Sequence, residues 1–178
     1  MSSNSTSLKV GEVGELFRQH GPMVYRRALR LLGRREDADE ATQEVFIRVM
    51  RGASSFEGRS GITTWLYQIT THYCLNLMRD RARRRQLLQE NTLATEGETK
   101  AGPAAAELVL LRRLLAEADE QQARAAVYVY LDGMSHEEAA ALLGVSKRTV
   151  GNLIERFLSW AGERSASPGQ PRTKKEEP

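Results

Sequence analysis

The segment REDADEATQEVFIRVMRGASSFEGRSGITTWLYQITTHYCLNLMRDRARRR, residues 35–85, contains two helical patterns separated by a loop rich in glycine and serine. Asp37 followed by Glu40 is typical of a capping box, which predicts that the first helix begins near Ala38. A second helix is predicted from about Thr63, after the glycines of the loop. Apolar side chains recur at helical spacing in both, at Ala38, Ala41, Val45 and Val49 and then at Leu66, Ile69, Tyr73 and Leu77.

The opposite face of the second helix combines an indole, two amides, an imidazole and two arginines. Stacking of a base on an aromatic ring contributes roughly 1–3 kcal/mol, and arginines bind phosphate, so this combination suits single-stranded nucleic acid. The alternative is an inert amphipathic helix whose tryptophan fills the core and whose arginines are solvated. The face consists of Trp65, Gln68, His72, Asn76, Arg79 and Arg83.

Basic charge is unevenly distributed along the chain. The 178 residues carry a net charge of only +3, but residues 51–85 contain seven arginines and two acidic side chains. Such a cluster attracts phosphate and makes binding depend on salt. Arginines near the end of a helix also interact favourably with the helix dipole, which is the structural alternative.

Two helices are predicted before this segment. The first runs from about Val10 to His20, and Gly21-Pro22 is expected to interrupt it. The second runs from Met23 to Leu32, with Gly33 as its C-terminal cap. Together these patterns predict a helical domain over residues 10–87, preceded by a disordered N-terminus at 1–9.

The second half of the chain predicts a smaller helical domain. Residues 88–105 lose periodicity and are expected to form a flexible linker. Within 106–162, a helix that begins after Ser135, a turn at Gly144-Val145 and a last helix to about Trp160 form a helix-turn-helix pattern. The tail, 163–178, is predicted to be disordered. The fold class is therefore all-α, with two small helical domains joined by a flexible linker, the second a helix-turn-helix domain.

The last helix has the polar side chains that a DNA recognition helix requires. Arg148 can bond guanine in two places and Asn152 can do so with adenine. Lys147 and Arg156 are better placed for phosphates. A helical hairpin used for protein contact is the alternative. The outward-facing set is Ser146, Lys147, Arg148, Thr149, Asn152 and Arg156.

The chain resembles the bacterial sigma factors, and within them the small extracytoplasmic-function (ECF, group IV) proteins. The segments that resemble sigma region two are DADEATQEVFIRVMR, SSFEGRSGITTWLYQI and NLMRDRARRR. The segment that resembles sigma region four is GMSHEEAAALLGVSKRTVGNLIERF. The resemblance covers nearly all of residues 10–162. The chain departs from it at Gly151, where the family commonly has a basic residue, and at His72, where many relatives have asparagine.

This resemblance implies a sigma factor that binds core RNA polymerase and promoter DNA, both duplex and single-stranded, under control of an anti-sigma factor. The polymerase contacts would be Asp37, Glu40, Gln43, Glu44 and Arg48. Trp65 would wedge the duplex open, and the loop 54–61 would hold a flipped-out base, which costs a few kcal/mol to extract. The minus-ten contacts would be Phe56, Arg59, Ser60, Trp65, Gln68, His72, Asn76, Arg79 and Arg83, and region four would read the minus-thirty-five element.

Other classes of function have weaker support in the sequence. No nucleophile–base pair or carboxylate set stands out, so no catalytic residue, metal site or cofactor is predicted. The single cysteine, Cys74, rules out an internal disulfide framework. Because no apolar run approaches about eighteen residues and no secretory signal is evident, a cytoplasmic protein is expected. Two rivals remain: a helix-turn-helix regulator that is not a polymerase subunit, and an adaptor that binds polymerase without opening promoters.

Overall fold

The computed structural model describes residues 10–51, 61–89 and 103–166, and these residues are almost entirely helical. The helices are α1 (Val10–Leu32), α2 (Arg35–Arg51), α3 (Ile62–Gln89), α4 (Pro103–Glu117), α5 (Glu120–Ala126), α6 (His136–Leu143) and α7 (Lys147–Ala166), and α5 continues as one π-helical turn, Val127–Leu131. Helices α1–α4 form one unit and α5–α7 a second, with the division between Glu117 and Ala118. The predicted all-α fold class is confirmed.

The predicted domain boundary at residues 105 and 106 stays a prediction. In the structure α4 packs against α3 and is grouped with the first three helices, so the chain divides after α4. The predicted disordered N-terminus, 1–9, lies outside the described residues, as do residues 167–178 of the tail predicted over 163–178 and residues 90–102 of the linker predicted over 88–105. The described parts of both segments are helical, because residues 163–166 end α7, residues 88–89 end α3 and residues 103–105 begin α4.

The core of the first unit is built from α1, α2 and α3. Val24, Val45, Val49 and Leu66 are fully buried at its centre. The predicted stripe of α2 is confirmed, because Ala38, Ala41, Val45 and Val49 are all completely inaccessible.

The start of α2 differs from the prediction. The helix begins at Arg35, three residues earlier than expected, which places Asp37 inside the first turn. The Asp37 carboxylate does not cap the helix but accepts hydrogen bonds from Arg81 of α3.

The predicted break in α1 is wrong, since the helix runs through Gly21 and Pro22 without interruption. A proline inside a helix removes one backbone hydrogen bond and costs about 3 kcal/mol. The apolar side chains that follow, Val24, Ala28 and Leu31, are buried, and this burial offsets the cost. Gly33 ends the helix as predicted, with a φ of 83° and a hydrogen bond from its N–H to the Leu29 carbonyl.

The buried face of α3 is rotated from the one predicted. Leu66 is buried as expected, but Ile69, Tyr73 and Leu77 are half-buried at the edge of the core. The inaccessible positions are instead Thr70, Thr71, Cys74 and Leu75. The two threonines satisfy their hydroxyls by donating to the carbonyls of Leu66 and Tyr67, which makes their burial tolerable.

The second unit has the predicted helix-turn-helix. Ser135 caps α6 in a complete capping box with Glu138, and Asp119 caps α5. Gly144 adopts the left-handed conformation, with φ of 69°, that ends α6 and turns the chain into α7. Helix α7 reaches Ala166, six residues beyond the predicted end. Its core positions are Val150, Leu153, Ile154 and Phe157, all of which are buried.

Candidate nucleic-acid interface

The outer face of α3 displays the predicted side chains along one side of a continuous helix. Trp65, Gln68, His72, Asn76 and Arg79 are half-buried, and Arg83 is exposed. Trp65 packs against the core cluster, so its ring is fixed in place while part of it remains accessible. A ring held in this way loses little conformational freedom when a base stacks on it.

At the centre of this face Arg79, Asn76 and His72 form a chain of hydrogen bonds, which we call the relay. The guanidinium of Arg79 donates to Asn76 Oδ1 at 2.6 Å, and Asn76 Nδ2 lies 2.9 Å from His72 Nε2. Because a guanidinium can only donate, the Asn76 oxygen must face Arg79 and its NH₂ group must face the imidazole. His72 Nε2 is therefore the acceptor of this hydrogen bond.

A cavity of about 520 Å³ adjoins the relay between α2 and α3. Arg48, one of the predicted polymerase contacts, lies on its rim and stacks over the Tyr73 ring at 4.5 Å. Three guanidinium groups and one carboxylate therefore surround the cavity, which favours an anion there. Its lining is Arg48, Tyr73, Asn76, Leu77, Arg79, Asp80 and Arg83.

The predicted polymerase contacts on α2 are in different situations. Glu40 and Gln43 are exposed, and Glu44 accepts a hydrogen bond from Arg48 at 3.1 Å. Asp37 is the exception, because 13% of its side chain is exposed and its carboxylate is paired with Arg81. The Arg81 guanidinium holds the pKa of that carboxyl below its usual range, mainly through the hydrogen bonds it donates.

The three predicted contacts in the loop between α2 and α3 lie outside the described residues. They are Phe56, Arg59 and Ser60.

The exposed surface at the start of α7 contains the second predicted set. Arg148, Asn152 and Arg156 are exposed on successive turns. The Ser146 hydroxyl accepts from the Thr149 N–H at 3.1 Å and lies 2.8 Å from its hydroxyl, so these two side chains cap the helix. They therefore fix the N-terminal turn, which is the part of a recognition helix that approaches base edges.

Lys147, the remaining member of that set, forms an ion pair with Glu137 of α6. Both side chains are 62% exposed, and exposed pairs contribute only about 0–1 kcal/mol. A phosphate could therefore replace the carboxylate at little cost.

Sequence reasoning missed a buried arginine that supports the α3 face. Arg27 of α1 is 5% exposed, donates to Thr71 Oγ1 at 3.1 and 3.2 Å, and stacks over the Tyr67 ring at 4.1 Å. These contacts fix the rotation of α3 about its axis, so they decide which side chains face outward. The signal available in the sequence was the Thr70-Thr71 pair within an apolar helix, because buried hydroxyls need polar partners.

Residues 10–51, 61–89 and 103–166 contain neither a candidate metal site nor a candidate membrane-spanning helix. No group of three or more histidine, cysteine or acidic side chains could hold a metal ion. None of the helices there is both long and apolar enough to cross a membrane.

Comparisons with known proteins identify two family segments in the chain. Residues 16–84 match the family model of sigma-70 region 2, and residues 108–159 match that of sigma-70 region 4. The ECF RNA polymerase sigma factor SigE of Mycolicibacterium smegmatis is 38% identical over 152 residues, which are 80% of this chain and 57% of that protein. SigM of Mycobacterium tuberculosis is 29% identical over 136 residues, 76% of this chain and 68% of its own length. The chain thus spans little more than half of SigE.

One solved structure has the same fold at low identity. It is the sigma factor RpoE of Bartonella quintana in complex with the anti-sigma factor NepR. The match has a TM-score of 0.51 and 21% identity, covering 90% of this chain and all of that one.

Proposed function

We propose that this chain belongs to the extracytoplasmic-function family of RNA polymerase sigma factors and serves as an alternative sigma factor. It binds core RNA polymerase, recognises and melts specific promoters, and directs initiation. The observation that carries this proposal is the combination, in one chain, of the stacking and arginine face of α3 with the exposed recognition helix α7. Within the family we assign it to group IV, because the segments matching regions 2 and 4 are separated only by residues 85–107.

Each surface has a defined task in this proposal. The exposed face of α2, with Glu40 and Gln43, contacts the polymerase. Helix α7 reads the minus-thirty-five element through Arg148 and Asn152, since those side chains match the donor and acceptor patterns of guanine and adenine. The α3 face receives the opened minus-ten strand, with stacking at Trp65 and phosphates toward Arg79 and Arg83.

The chain acts as a specificity subunit and performs no covalent chemistry itself. Extracting bases from the duplex costs free energy, and the favourable binding of the unstacked bases to the chain must offset that cost. It works in the cytoplasm, where polymerase and promoters are found. An anti-sigma factor is the expected regulator, as in the complex of RpoE with NepR.

The decisive experiment is transcription in vitro with purified core polymerase on a library of promoter fragments. Wild type should give specific initiation. Trp65→Ala should bind core normally but lose initiation on duplex templates, while regaining part of it on templates that are already open at the minus-ten element. Arg18→Ala, which removes a charge from an exposed position of α1, is the matched control and should behave as wild type.

The two rival functions predict different results. A helix-turn-helix regulator outside the polymerase would bind duplex DNA without associating with core, and its activity would not depend on Trp65. An adaptor would bind core tightly and leave Trp65→Ala and Arg148→Ala without effect.

A further inference from the structure

Helix α4 belongs to different parts of the molecule by sequence and by packing. The region 4 family match begins at residue 108, so most of α4 lies in the same family segment as α5–α7. In the structure, however, α4 packs against α3 and is grouped with the first unit. The contacts that hold α4 in place are therefore made with residues outside its own family segment.

One side chain of α4 makes a specific contact with the end of α1. Arg112 Nε donates to the Leu31 carbonyl at 2.9 Å, and its Nη2 donates to the Arg30 carbonyl at 3.2 Å. The last carbonyls of a helix have no partner within it, and Gly33 already binds the Leu29 carbonyl. Arg112 therefore completes the cap of α1 from more than eighty residues away in the chain.

The turn after α1 is shaped to admit this guanidinium. A Cβ atom on Gly33 would lie 2.6 Å from Arg112 Cζ, which is too close for any real contact. The positive φ of Gly33 also excludes most other residues. Burial lowers the pKa of Arg112, so the group has given up water to reach the carbonyls.

The rest of the α4 contact is apolar and uses one face of the helix. Leu115 and Ala116 are buried, whereas Leu108, Val109 and Leu110 remain 46–60% exposed. Arg112 thus adds a contact with α1 to the apolar contact that α4 makes with α3, and the two together set the free energy at which α4 opens locally.

We propose that α4 can detach from the first unit and that the hydrogen bonds from Arg112 to the end of α1 hold it in place. We call this helix and its contact with α1 the clasp, which is closed when those hydrogen bonds are made and open when they are broken. With the clasp closed, the joint that leads to the helix-turn-helix unit lies at Ala118 and Asp119. With the clasp open, the tether between α3 and α5 lengthens by the whole of α4, and the recognition helix gains reach. This inference concerns the free protein, and only its link to transcription rests on the proposed function.

Hydrogen exchange of the full-length chain, read by mass spectrometry, tests the clasp directly. Arg112→Gln should raise the exchange rates of α4 amides and of the last turn of α1 about tenfold, and leave α5–α7 unchanged. Arg113→Gln is the matched control, because that neighbouring arginine is exposed and pairs with Glu117 of its own helix. Equal exchange in the two variants would overturn the proposal, and so would a rise through the entire first unit, which would mean that α4 cannot leave without unfolding it.

A glycine pair provides an independent test. Gly33→Ala and Gly133→Ala both place a side chain at positive φ, but only the first meets the guanidinium, since nothing lies within 4 Å of the second. Gly33→Ala should therefore expose α4 to exchange, and Gly133→Ala should not. If both leave α4 protected, the clasp is wrong. Failure to bind core polymerase would instead sink the proposed sigma function and leave these exchange results standing.

Discussion

Asp37 near the start of α2 and Arg81 on α3 form a two-pronged ion pair, with Arg81 Nη2 lying 2.9 Å from Asp37 Oδ1 and Nη1 bonding Oδ2. The pair joins the proposed polymerase-binding helix to the proposed DNA-binding helix. Since the Asp37 side chain is 13% exposed, it is shielded from the solvent that weakens most surface pairs. Asp37, which the family resemblance assigns to polymerase contact, thus links α2 to α3 in this structure.

Replacing Asp37 with asparagine should lower the free energy of unfolding by about 1 kcal/mol at pH 7. The pKa of Asp37 is lowered in the folded state, so its contribution is fully present above its unfolded pKa of about 3.9 and is lost as pH falls through the lower folded value. The difference between wild type and variant should therefore be constant from pH 7 to 5 and vanish in strong acid. Urea unfolding at several pH values measures it.

Asp39→Asn is the control for this prediction, because Asp39 lies on the same helix turn but is exposed. It should change stability little at any pH. Equal losses for the two variants would show that the ion pair contributes nothing beyond ordinary surface charge.

The relay on α3 predicts that Asn76 organises its neighbours rather than acting alone. Asn76→Ala removes both hydrogen bonds, so Arg79 and the His72 ring each lose one of the contacts that orient them. Holoenzyme affinity for a single-stranded minus-ten oligonucleotide should fall about tenfold, corresponding to about 1.4 kcal/mol. Fluorescence anisotropy measures it, with Arg18→Ala as the control. Should Asn76→Ala and Arg79→Ala prove additive when combined, the relay would not be a coupled unit.

The buried face of α2 could be predicted from the sequence, whereas most of the buried face of α3 could not. The α2 stripe was predictable because its buried residues are apolar and strictly periodic. In α3 the buried positions include Thr70 and Thr71, whose hydroxyls look like surface groups until Arg27 and the helix carbonyls are seen as partners. The Asp37–Arg81 and Arg112–Leu31 contacts join residues far apart in sequence, and no local pattern signals such pairs. The helix-turn-helix was predicted well because caps and a glycine turn are local signals.

Cys74 should be unreactive in the folded protein. It is completely buried, and burial raises the pKa of its thiol to about 12. Because the thiolate is the reactive form, labelling by a disulfide reagent at pH 8 should be at least about a thousandfold slower in native protein than in urea. A variant that combines Cys74→Ala with Ser159→Cys, at an exposed position of α7, should label rapidly without denaturant. Fast labelling of native Cys74 would mean that the first unit opens far more often than its packing implies.

The proposed recognition helix, α7, predicts two distinguishable kinds of DNA contact. Arg148 is exposed in the first turn of α7, where side chains approach base edges, and Arg156 lies two turns further along. Arg148→Ala should cost about 1–3 kcal/mol at one base pair of the minus-thirty-five element and relax the preference for guanine there. Arg156→Ala should weaken binding by similar factors on all sequences and reduce the slope of log affinity against log salt by about one. Binding of holoenzyme to a panel of single-base variants at three salt concentrations separates the two effects, and Arg164→Ala, near the far end of the helix, is the control. If Arg148→Ala instead weakened every site equally, α7 would be held on the phosphates alone, and sequence reading would have to come from another part of the unit.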